Sequence, residues 1–120
     1  MIDLRRYENL IRELVDVVDN KDLNWPWTVV SVTETEARIR WGYLDYMEEK
    51  NNCFVLLMDN DVDGTGVGDW LFARHPDGVC IECYLVVDGK PNPKLGAEQR
   101  IENGIRGAIE EIAYVAHSQY

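Results

Sequence analysis

Over residues 3–19 the apolar side chains Leu4, Tyr7, Leu10, Ile11, Leu14, Val15, Val17 and Val18 recur at intervals of three and four. Arg5, Glu8, Asn9, Arg12, Glu13, Asp16 and Asp19 fill the positions between them. This spacing predicts an amphipathic helix with one broad face toward a core, closed by Asn20-Lys21-Asp22. The period then shortens. Trp25-Pro26-Trp27 leads into Thr28-Val29-Val30-Ser31-Val32, a β-branched run behind a proline that favours extended backbone before it. After the polar stretch 33–36, Ala37, Ile39, Trp41 and Tyr43 alternate with Arg38, Arg40 and Gly42, as a half-buried antiparallel strand requires.

Residues 48–52 read as a turn, and 53–58 as a central strand because both of its faces are apolar. A glycine and aspartate loop over 59–69 separates it from a strand at 70–74. That strand is joined to another at 79–87 by His75-Pro76-Asp77-Gly78, a hairpin turn in composition. Asn92 before Pro93 marks a helix start, and Ile101, Ile105, Ala108, Ile109, Ile112 and Ala116 form one arc of a helix over about 94–117. The expected architecture is a single α+β domain over residues 1–120: N-terminal helix, antiparallel meander of about five strands, C-terminal helix. Both helices are expected on one face of the sheet. One face of this sheet must then present apolar side chains: either Phe54, Leu56 and Met58 or Val55 and Leu57, and Trp70 and Phe72 if Leu71 and Ala73 face the helices. Unless a loop such as 43–52 folds over it, that surface is expected to form a homodimer or meet a protein partner.

Charge narrows the partners. Twenty-two acids against twelve Lys and Arg leave a formal charge of −10, which repels nucleic acid and anionic membranes and favours a basic protein. With 46% hydrophobic residues, the acidity is not that of a disordered chain. Between Asp45 and Asp69 stand seven carboxylates, Asp45, Glu48, Glu49, Asp59, Asp61, Asp63 and Asp69, against Lys50 alone. A net six of the ten excess charges therefore lie in the connections at the two ends of one strand. Together with Tyr46 and Trp70 they are the candidate partner-binding surface, with aromatics as anchors and carboxylates for steering.

Asp59-Asn60-Asp61-Val62-Asp63-Gly64 resembles the opening of an EF-hand calcium loop. The resemblance makes Asp59, Asp61 and Asp63 candidate calcium ligands and Gly64 the bend residue. It covers this loop alone. The twelfth position, a bidentate Glu in the family, is Trp70, and the flanks read as strands rather than helices. The glycines of Gly64-Thr65-Gly66-Val67-Gly68 precede a strand and stand among aspartates, against a phosphate loop.

Cys53, Cys80 and Cys83, an odd number, suggest reduced thiols. On a regular strand Cys80 and Cys83 would point to opposite faces, too far apart for a shared zinc. Met1–Arg6 shows no basic region followed by an apolar run, and the longest apolar run, 54–58, is strand-sized, so a cytoplasmic chain is expected. His75 at a turn and His117 at a helix end have no catalytic company in sequence, and no enzyme is expected.

Two main function classes follow. The first is an inhibitor of a basic, nucleic-acid-binding protein: a phage anti-defence protein of the anti-CRISPR kind, mimicry of DNA included, or an immunity protein for a cationic nuclease toxin. The second is a calcium-binding module built on the acid loop. A secretion-chaperone-like dimer is a third, although the helix such proteins carry mid-sheet has no counterpart here. Gly104 and Gly107 add a smooth stripe on the last helix, suited to a close backbone approach or simply tolerated by packing.

Overall fold

The computed structural model describes residues 2–42, 53–60, 68–88 and 96–119. A 3-10 turn at Leu4–Tyr7 runs into α1 (Glu8–Lys21). Five strands follow, β1 (Trp27–Val32), β2 (Glu36–Trp41), β3 (Cys53–Asp59), β4 (Asp69–Arg74) and β5 (Cys80–Val87), and then α2 (Ala97–Gln119). The sheet order is β1-β2-β3-β4-β5 and every neighbouring pair is antiparallel, so the expected α+β meander between two helices is the observed fold. The strand with two apolar faces, β3, is the central one. Among the described residues no helix is long and apolar enough to cross a membrane.

Register decides which apolar set faces the helices. Ala37 pairs with Leu56 and Leu56 with Ala73, while Ile39 pairs with Phe54 and Met58 with Leu71. These residues, with Trp27, Trp41 and Val86, are buried against Ile11 and Val15 of α1 and Ile101, Ile105, Ala108, Ile109, Ile112 and Ala116 of α2. The whole predicted arc of the last helix is thus inside. Each fully buried Ile, Leu or Phe here contributes roughly 1.5–3 kcal/mol of hydrophobic stabilisation. Val17 departs from the predicted arc of α1 and is 49% exposed, because a broad arc exceeds what one layer of sheet can cover.

The helices run side by side in the same direction, tied at both ends. Near their starts the Tyr7 hydroxyl donates to Glu98 Oε2 at 2.6 Å; near their ends His117 Nε2 meets Asp22 Oδ2 at 3.2 Å. Close seating of α2 on β5 depends on the two glycines. A Cβ at Gly104 would stand 2.7 Å from Val86 Cγ1, and one at Gly107 would stand 3.1 Å from the Tyr84 ring. The smooth stripe is therefore filled by β5 of the same chain. Gly78, at φ +92°, closes the β4–β5 hairpin, where its N–H donates to the His75 carbonyl at 2.8 Å.

One sequence inference about β5 is corrected. The β4–β5 pairing shifts between Ala73 and Arg74, so Arg74 pairs with Cys80 and Phe72 with Cys83. The extra residue places both cysteines opposite side chains of one face of β4, where a regular strand would have split them. No disulfide joins any of the three cysteines: Cys53 is buried, and Cys80 and Cys83 are exposed.

Candidate functional site

Of the residues singled out for partner binding, Asp59, Asp69 and Trp70 lie among the described residues. Asp45, Tyr46, Glu48, Glu49, Asp61 and Asp63 lie outside them. Asp59, the exposed last residue of β3, pairs directly with Trp70, so a carboxylate and an aromatic ring share one end of the hairpin. Asp69 opens β4 opposite Val87. Of the candidate calcium ligands, Asp59 alone is described, at a strand end, and the segments flanking the acid loop are strands. Among the described residues no three His, Cys, Asp or Glu side chains gather as a metal site would need.

The structure adds partners to Asp59 that sequence distance had hidden. A cleft of about 470 Å³ at this end of the sheet is lined by Ile2, Asp3, Glu34, Thr35, Met58, Asp59 and Asn60. Its walls are fixed by the backbone. The Leu4 N–H donates to the Glu34 carbonyl at 2.8 Å and the Met58 N–H to the Thr35 carbonyl at 2.7 Å. Asn60, the buried polar residue of the cleft, clamps the N-terminal segment: its Oδ1 accepts the Ile2 N–H at 2.9 Å and its Nδ2 donates to the Ile2 carbonyl at 3.1 Å. Asp3 caps the 3-10 turn by accepting the Arg5 N–H and pairs with the Arg5 guanidinium at 2.6 Å, which holds its carboxyl below the usual range. Glu34 stands 4.0 Å from the same Arg5. One guanidinium thus serves Asp3 and Glu34, Asp59 adds a third carboxylate to the wall, and Ile2 and Met58 supply an apolar floor. A cleft of this make-up suits a Lys or Arg side chain, whose stem is apolar and whose head is cationic.

A second constellation lies at the opposite end of the helices. The Asp22 side chain is 2% exposed and sits at the centre of a hydrogen-bond network. Oδ2 takes the indole N–H of Trp27 at 2.8 Å and of Trp41 at 3.3 Å, and meets His117 at 3.2 Å. Oδ1 takes the backbone N–H groups of Asn24 and Trp25 at 3.0 and 3.1 Å. Burial pushes the carboxyl up, but the bonds from Trp27, from the two backbone amides and from His117 outweigh it and hold the group far below its ordinary value. Around it Trp25 and Trp41 lie 5.7 Å apart, and Trp27 stacks on Phe54 at 6.0 Å. The Asp22–His117 pair has the form of a base held by a carboxylate. The groove beside His117, about 260 Å³, is lined by Leu14, Val17, Val18, Lys21, Arg106, Ile109, Glu110 and Ala113, and among the described residues no Ser, Thr or Cys stands in that wall. We read Asp22 as a clasp joining the ends of both helices to β1 and β2.

Nothing in the sequence marks this clasp. Asp22 reads as a helix terminator and His117 as a helix-end cation, 95 positions apart. The available signal is the density of Trp around an Asp at a helix end, since a buried indole N–H needs an acceptor.

Comparison of the chain with protein-family models, with curated proteins and with solved structures finds no match in any of the three.

Proposed function

We propose that the protein is a small non-enzymatic inhibitor of a basic, nucleic-acid-binding protein, of the anti-defence or toxin-immunity kind. The acidic cleft carries this reading: Asp3, Glu34 and Asp59 stand around an apolar floor in a chain of charge −10, and Asp59 is paired in register with Trp70. Carboxylates held there occupy Lys and Arg side chains that would otherwise bind phosphates, and the net charge speeds encounter. Three cysteines outside any disulfide suit a cytoplasmic home, where thiols stay reduced.

The test is affinity capture from a cell or phage-infected lysate at low and high salt, with wild type and the Glu34→Lys/Asp59→Lys double variant as baits. The reading expects a basic protein that is retained by wild type at low salt, weakened at high salt and lost by the double variant. Retention of the same protein by the double variant at undiminished yield would overturn the assignment of the cleft.

A further inference from the structure

Loop 43–52, the alternative cover for the face of the sheet turned away from both helices, lies outside the described residues, and that face has its own charge pattern. Register arranges it in rows across the strands: Arg40 beside Cys53; then Arg38, Val55 and Arg74; then Glu36, Leu57 and Phe72; then Asp59, Trp70 and Leu85. Arginines hold one end, carboxylates the other, and half-buried apolar side chains the middle. Two of these arginines keep an unmet donor in a chain of twenty-two acids. Arg38 Nε and Arg40 Nε are buried with no hydrogen-bond partner. Arg38 lies 3.7 Å from Glu36, beyond hydrogen-bond reach, and the Arg74 guanidinium lies 5.9 Å over the Phe72 ring.

We propose that this face binds a second copy of the chain, stacked face to face with its strands reversed. The charge pattern selects that orientation. A two-fold axis in the interface, across the strands and level with Ala37, sets Arg38 of each copy over Glu36 of the other and the Val55 row over the Leu57 row. An axis along the strands would set arginine on arginine. Five strands about 4.8 Å apart and about 20 Å long give a face of roughly 500 Å² per copy, near 1,000 Å² for the pair. That is the lower end for a specific interface, so monomer and dimer should exchange at micromolar concentrations. Such an isologous contact repeats each ion pair twice, which makes it sensitive to charge reversal.

The experiment is sedimentation velocity from low to high micromolar concentration on wild type, Glu36→Arg, Arg38→Glu and an equimolar mixture of the two variants. Both side chains are about 40% exposed, so either reversal should leave the fold intact, as a wild-type far-ultraviolet spectrum would verify. The proposal expects a reversible wild-type dimer and at least tenfold weaker self-association of each variant, in which like charges meet at both symmetric contacts. It further expects a heterodimer in the mixture. There one contact keeps the original Arg38 against the original Glu36, and the other sets the two reversed side chains against each other, so both attract. A wild type that stays monomeric throughout, or a mixture no more associated than its components, would overturn it.

Discussion

Replacing Asp22 should unfold the end of the molecule where both helices meet β1 and β2. Its carboxylate is the acceptor for two indole N–H groups and two backbone N–H groups within a nearly inaccessible site. Removing an acceptor leaves buried donors unmet at about 1–3 kcal/mol each, and breaking a buried charged network costs about 3–5 kcal/mol in all. Asp22→Ala is therefore expected to lose about 3–5 kcal/mol, a large share of the roughly 5–15 kcal/mol of a typical domain. Asp22→Asn is the sharper test. It keeps shape and one oxygen but turns an amide donor toward either the two indole N–H groups or the two backbone N–H groups, so we expect a loss of about 2–3 kcal/mol. His117→Ala, which removes a half-exposed partner, should cost no more than about 1 kcal/mol. Urea titrations followed by tryptophan fluorescence and by circular dichroism measure all three. The sign of the pH effect follows from the depressed carboxyl: its stabilisation is complete above the ordinary value of 3.8 and is lost as pH falls below it. Wild type should then lose stability more steeply than Asp22→Asn below about pH 4. An Asp22→Asn variant within about 0.5 kcal/mol of wild type, with the same acid slope, would refute the clasp.

Two further outcomes test the packing. Gly104→Ala, a change that stabilises an exposed helix by about 1 kcal/mol, should here destabilise by about 1–3 kcal/mol because its methyl meets Val86 at 2.7 Å; a thermal melt with an unchanged or higher midpoint would disprove the close approach. Tyr7→Phe loses the hydrogen bond to Glu98 and should cost about 1 kcal/mol in urea. Burial and Glu98 push the Tyr7 hydroxyl up to about 12, so its contribution is present below pH 10 and lost as pH rises from there toward 12. Alkaline unfolding of Tyr7→Phe should accordingly be less steep than that of wild type.

The elements were legible because their patterns are local. The arc from Ile101 to Ala116 needs only the 3.6-residue period, and all six of its residues are buried. Which face of the sheet the helices cover was not legible, because 53–58 is apolar on both sides. Only the pairing of Met58 with Leu71 and of Leu56 with Ala73 resolves it. The placement of Cys80 and Cys83 failed for a related reason: a one-residue register shift reverses alternation and leaves no mark in composition. At the candidate site, Asp59 and Trp70 could be named from sequence since they flank one acidic loop. Asp3 and Glu34 could not, because the Asn60 clamp on Ile2 that brings the N-terminal segment to Asp59 spans 58 positions. Asp22 shows the same limit, its partners lying as far off as Trp41 and His117.

Inhibition itself is the most direct measurement. With the captured basic protein purified, its binding to a labelled nucleic acid is followed by fluorescence anisotropy as this protein is added. The account predicts stoichiometric loss of nucleic-acid binding with wild type, a shift to weaker inhibition as salt is raised, and little loss with Glu34→Lys/Asp59→Lys. Undiminished nucleic-acid binding at saturating wild-type protein would contradict it.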